Sequence, residues 1–95
     1  MADYVREQVL EDAKKIVMQD RNLDYDSPER NFGRIAVMWG AYLNTDIRAH
    51  DVAVMQIMLK AARIHTSPDK LDHWVDMAGY AACGAEVRPY KDELP

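Results

Sequence analysis

The stretch "DVAVMQIMLKAARI", residues 51–64, decides the fold. No period-2 alternation of the kind a half-buried strand requires competes with a helical reading of it. It reads as a helix over 49–64, apolar nearly all round, which marks it as the central, most buried element of a helical domain. Its few polar residues are therefore informative. Gln56, Lys60 and Arg63 are spaced four and three apart and share one face. Charge on so apolar a helix has to be paired or bound.

The flanking punctuation places three further helices. Before it, "SPERNFGRIAVMWGAYL" (27–43) opens on a serine that can cap and a proline suited to the first helical position, with Phe32, Ile35, Ala36, Trp39, Tyr42 and Leu43 as its stripe. "NTDIRAH" (44–50) is the turn between the two. After it, "HTSPDK" (65–70) repeats the Ser-Pro signal and predicts a helix from Pro68 to about Gly84. Leu71, Trp74, Val75, Ala78, Ala81 and Ala82 make its packing side, and its small residues permit close helix approach. The first helix is expected over residues 3–19, where Val5, Val9, Ala13, Ile16 and Val17 recur at helical spacing. "DRNLDYDSPER" (20–30) breaks it, and "RPYKDELP" (88–95) reads as a loosely held polar tail. The expected organisation is one all-α domain over 1–88, a compact bundle of about four helices, with a tail over 89–95.

Composition limits the function. The chain has 95 residues, enough for one core, and 48% are hydrophobic, as in a globular protein. A formal net charge of −4 argues against a generic nucleic-acid binder, which must neutralise phosphates. A small phosphate-bearing ligand needs only a local basic pair and stays compatible. A single cysteine, Cys83, allows no intramolecular disulfide and fits a reducing cytoplasm. No membrane-spanning run and no signal-peptide core are visible. The letters KDEL are followed by Pro95, so they are read as chance.

The candidate chemistry lies in "DHWVDMAGYAA" (72–82). Asp72 and Asp76 are four apart on one helix face, with Tyr80 a further turn along. Two such carboxylates can share a hard cation such as Mg²⁺, though Asp72 also suits the positive end of its helix. Lys60 and Arg63 can contact a phosphate, Arg63 in bidentate fashion, or can pair with Asp72 and Asp76 as interhelix salt bridges. Trp39 and Trp74 read as core. Tyr42 and Tyr80 can serve as core or as a stacking surface. His50, His65 and His73 show no metal-ligand spacing, and no nucleophile motif or glycine-rich phosphate loop is present.

The Pro-Glu-x-Asn-Phe start, the tryptophan of the second helix, "DVAVMQIMLKAAR" and "DxWVDxAGYAA" resemble a family of small proteins of unknown function from tailed bacteriophages and prophages, over about residues 24–86. A looser resemblance is to the MazG-like all-α nucleoside triphosphate pyrophosphatases, which hold Mg²⁺ on helix-borne carboxylates and cleave between the α and β phosphates. Their second acidic motif, Glu-Glu-x-x-Asp, is matched at Asp76, and at Asp72 if Asp replaces Glu. His73 stands where the second Glu belongs. Their first motif, Glu-x-x-Glu-Glu, has only Asp51 to offer, a departure that weighs against catalysis.

The expectation is a phage-encoded cytoplasmic protein that binds a nucleotide or nucleotide-like phosphate ligand, in one version sequestering a host defence signal. Lys60, Arg63, Asp72, Asp76 and Tyr80 would form the site, with Mg²⁺ on Asp72 and Asp76. A Mg²⁺-dependent pyrophosphohydrolase and a protein inhibitor of a host defence enzyme are the alternatives. A homo-oligomer is expected, with its interface on the second helix near Trp39 and Tyr42.

Overall fold

Ser27 and Pro28 open a helix as anticipated. In the computed structural model, which describes residues 4–20 and 27–89, the Arg30 N–H donates to the Ser27 hydroxyl at 3.3 Å and Pro28 takes the first helical position. Four α-helices follow one another: α1 (Val5–Lys15), which runs into a π-helical turn at Ile16–Asp20, α2 (Pro28–Leu43), α3 (Ala49–Thr66) and α4 (Leu71–Glu86). The architecture is all-α, with no strand among the described residues. The loop expected over 21–26 and the tail beyond Pro89 lie outside the described residues.

Local chemistry sets the helix ends. Asn44 adopts a left-handed conformation (φ 54°, ψ 49°) after α2, a shape that asparagine tolerates. The Gly40 carbonyl accepts the Thr45 N–H at 3.0 Å, and a Cβ on Gly40 would stand 2.9 Å from the Thr45 carbonyl oxygen. Only glycine lets the turn fold so tightly back on the helix. At the start of α3 the Arg48 N–H donates to Asp51 Oδ2 at 2.9 Å, satisfying a helix-entry donor.

The second Ser-Pro signal behaves differently. Helix α3 runs on through Thr66, Ser67 becomes its cap, and Pro68 and Asp69 form a turn, so α4 starts at Leu71 rather than at Pro68. The Trp74 indole N–H closes this turn by donating to the Pro68 carbonyl at 2.9 Å.

The core gathers Phe32, Ala36, Val52, Ala53 and Cys83, with Ile35, Trp39 and Tyr80 packed against it. The expectation that α3 is the most buried helix is corrected. It is α4 that packs on α1, α2 and α3 alike. Helix α3 buries Val52 and Ala53 but leaves Val54, Met58 and Leu59 exposed. Small residues allow the close α3–α4 contact: a Cβ on Gly84 would lie 2.9 Å from the Ala53 Cβ. Trp74, expected in the core, is 45% exposed, because its indole turns toward Pro68. Tyr42 is 88% exposed.

Candidate functional site

Lys60 lies two turns beyond the buried pair Val52 and Ala53, on the same inward side of α3, and so reaches across to α4. Its ammonium sits 2.8 Å from Asp76 Oδ2, with the two side chains 12% and 30% exposed. Asp76 comes from the middle of α4, away from the helix-start dipole that rewards acidic residues. Each charge is largely removed from water and is compensated by the other. The pair ties the two helices together and is the most enclosed ion pair seen among the described residues.

One turn beyond Asp76, the Tyr80 ring stacks on Phe32 with centroids 6.3 Å apart and planes inclined by 29°. Asp76 and Tyr80 border a hollow of about 10 Å³ between α4 and the π-helical turn, closed by Ile16, Val17 and Gly79. That is room for about one water molecule. Asp72 opens next door, into a shallow hollow shared with Asp12 and Lys15. The two hollows have Ile16 and Val75 in common, so the carboxylates flank one apolar contact. Lys60, Asp76 and Tyr80 thus cluster along one seam, and Asp72 stands one turn outward. Arg63 is exposed on the last turn of α3 and is not part of the Lys60–Asp76 contact.

A Mg²⁺ ion would need oxygen ligands with free lone pairs. One Asp76 oxygen already faces the Lys60 ammonium, which stands where a cation would. No group of three acidic, His or Cys side chains among the described residues is placed to hold a metal. Asp51, the one acidic residue available for a first acidic motif, is engaged in capping α3. As it stands, this donor set does not suit Mg²⁺.

Three features fell outside the expected site. His73 is half-buried, and its Nδ1 is enclosed without a hydrogen-bond partner. The signal for it was its place three residues before Asp76, on the same face of α4. The second is a polar cleft of about 310 Å³ where the starts of α2 and α3 meet the end of α4, bordered by Glu29, Arg48, His50, Glu86 and Arg88. It is assembled from three helix ends far apart in sequence, so no local pattern announces it. A broader apolar groove of about 560 Å³ lies between the starts of α1 and α4, lined by Val5, Val9, Leu10, Leu71 and Trp74.

The family model described as "Domain of unknown function (DUF6378)" matches residues 8–88. The chain is 39% identical to the Gene 55 protein of Mycobacterium phage D29 over 77 residues, which is 81% of this chain and 51% of that protein. To the Gene 55 protein of Mycobacterium phage L5 it is 38% identical over 86 residues, 90% of this chain and 55% of that one. The chain thus spans about half the length of the curated relatives it matches. No solved structure matches. No helix among the described residues is long and apolar enough to cross a membrane.

Proposed function

This chain belongs to the DUF6378 family, and two of its relatives are mycobacteriophage proteins; from that premise we propose that it is a small helical phage protein that binds a nucleotide-like phosphate compound. The observation that carries the reading is the Lys60–Asp76 pair, a largely desolvated ammonium held at 2.8 Å by a single carboxylate. A phosphate offers Lys60 more charge and more acceptor oxygens than one carboxylate does. The pair would open to it, with Arg63 adding a bidentate contact from the next turn of α3.

Released from Lys60, Asp76 would be free, with Asp72, to hold a Mg²⁺ that enters bound to the ligand's phosphates. That ion would supply charge neutralisation. Tyr80 would support Asp76 from the following turn. The body of the ligand would lie on the surface, since the hollow beside Asp76, at about 10 Å³, is far below the few hundred Å³ of a nucleotide pocket. Binding is favoured over pyrophosphohydrolysis because Asp51 stands alone where a first metal motif needs several carboxylates, and no group of three acidic, His or Cys side chains among the described residues is placed to hold a metal. In the host cytoplasm such a protein would sequester its ligand, for example a host defence signal.

A second location for the phosphate is favoured by size. The cleft bordered by Arg48, His50 and Arg88, and also by Glu29 and Glu86, measures about 310 Å³ and lies at the amino end of α3, where helix N–H groups attract anions.

The test incubates the protein with Mg²⁺ and a panel of nucleotides, cyclic nucleotides and ADP-ribose derivatives. Each compound is then quantified in the filtrate and in the heat-denatured retentate. One compound lost from the filtrate and recovered intact is the expected result. Conversion to a monophosphate and pyrophosphate would make the protein a hydrolase instead. If every compound stays unchanged in the filtrate, nucleotide binding is refuted and inhibition of a host protein takes its place. Arg63→Ala and Arg88→Ala variants assign the location: loss with the first places the phosphate at the α3–α4 seam, loss with the second places it in the cleft.

A further inference from the structure

Helix α3 carries an apolar face that nothing among the described residues covers. Val54 is 50% exposed, Met58 57% and Leu59 45%, and Ala61, Ala62 and His65 are exposed as well. Between Asp51 and Lys60 the helix has no charged residue on any side. A helix of a lone domain normally turns a polar face to water. Here the outward positions 51, 54, 58, 62 and 65 follow each other at steps of three, four, four and three, a helical stripe symmetrical about Met58. The inward residues, Val52, Ala53 and Lys60, lie on the other side.

We infer that this seam is covered by α3 of a second copy of the chain, running antiparallel about a two-fold axis at Met58. The seam is complementary to itself in that arrangement and in no parallel one. Counting outward from Met58, Asp51 faces the partner's His65, and Val54 faces the partner's Ala62. An acid thus meets an imidazole at each end, and a large residue meets a small one on each side of the central methionines. Antiparallel helix dipoles add to the attraction. A parallel pair would set Asp51 against Asp51 and Val54 against Val54. The interface is isologous and closes at two copies.

Asp51 can take on this second role. Its Oδ2 serves the Arg48 N–H at 2.9 Å, but its Oδ1 has only the loose contact to His50 Nε2 at 3.5 Å. The α2 face near Tyr42, the interface expected from sequence, also exposes apolar residues, Val37, Met38, Tyr42 and Leu43, and a substitution at Val37 distinguishes it from the α3 face. The inference is independent of any ligand at Lys60.

The experiment is sedimentation velocity and light scattering on the full chain from micromolar to millimolar concentration, beside cysteine cross-linking. The expected mass is twice 10.9 kDa. Met58→Asp should return the 10.9 kDa monomer with its helical circular dichroism kept, and Val37→Asp, on the exposed side of α2, should leave the dimer intact. Should Met58→Asp not fold, cross-linking decides alone. Met58→Cys should form a disulfide to its own copy on mild oxidation. Val54→Cys should not, because its two copies would lie about 12 Å apart along the helices, beyond disulfide reach. Val54→Cys should instead cross-link to Ala62→Cys on the other molecule. A mass of 10.9 kDa at every concentration overturns the inference, as does a Val54→Cys self-disulfide that forms as readily as that of Met58→Cys.

Discussion

At the scale of single residues, the Lys60–Asp76 contact sets what the seam between α3 and α4 can tolerate. A salt bridge with both side chains mostly out of water contributes little net stability, yet losing one partner strands a charge. Lys60→Met should therefore destabilise the protein by about 1–3 kcal/mol, less than for a fully buried pair because Asp76 keeps some contact with water. The double variant Lys60→Met/Asp76→Leu should recover most of that loss, since two apolar side chains replace two paired ions. Urea unfolding of the wild type, both single variants and the double variant reads the coupling directly. Equal and additive losses would show that the two residues do not depend on each other. Asp51 has a smaller structural duty. Asp51→Ala removes the acceptor of the Arg48 N–H and should cost roughly 1 kcal/mol, measurable as a lowered urea midpoint.

At the scale of elements, two occurrences of Ser-Pro show what a sequence can and cannot announce. Ser27-Pro28 starts α2, with Pro28 in the first helical position and the Ser27 hydroxyl accepting the Arg30 N–H. Ser67-Pro68 carries the same local signal, but α3 extends to Thr66 and uses Ser67 as its end. The start of α4 is then decided three residues later by a contact that no helix-start rule contains, the Trp74 indole on the Pro68 carbonyl. Trp74→Phe keeps the ring and removes that donor. It should cost about 1 kcal/mol and speed amide exchange in the first turn of α4, with α2 unaffected. Unchanged exchange there would remove the indole from the account. The small residues of α4 were legible as a means of close approach, but which of them touches was not. Gly84 meets Ala53, so Gly84→Leu should destabilise by about 1–3 kcal/mol through overpacking. Ala81 is exposed, so Ala81→Leu should be nearly neutral in the same thermal unfolding experiment.

At the scale of the whole molecule, helix number and order were legible because caps, turns and apolar period agree along most of the chain. The place of α3 was not. A helix apolar on all sides can be surrounded by its own chain or by another molecule, and hydrophobicity alone does not distinguish them. The candidate site was legible in the same partial way. The four-residue spacing put Asp72 and Asp76 on one face, and the apolar setting of Lys60 implied a partner. That Asp76 takes Lys60 while Asp72 opens beside Asp12 depends on how α3 and α1 seat against α4, which spacing does not encode. Nor does sequence tell that the hollow beside Asp76, at about 10 Å³, has room for about one water and is too small to enclose a nucleotide.

The most direct measurement of the central claim is retention of the nucleotide panel by the wild type and by Lys60→Met/Asp76→Leu, side by side, with both proteins shown to be folded. The account predicts that the wild type withdraws one phosphate-bearing compound from the filtrate and that the double variant, equally helical, withdraws at least tenfold less. A compound retained equally by both would separate the ion pair from ligand recognition. Retention by neither would contradict nucleotide binding altogether.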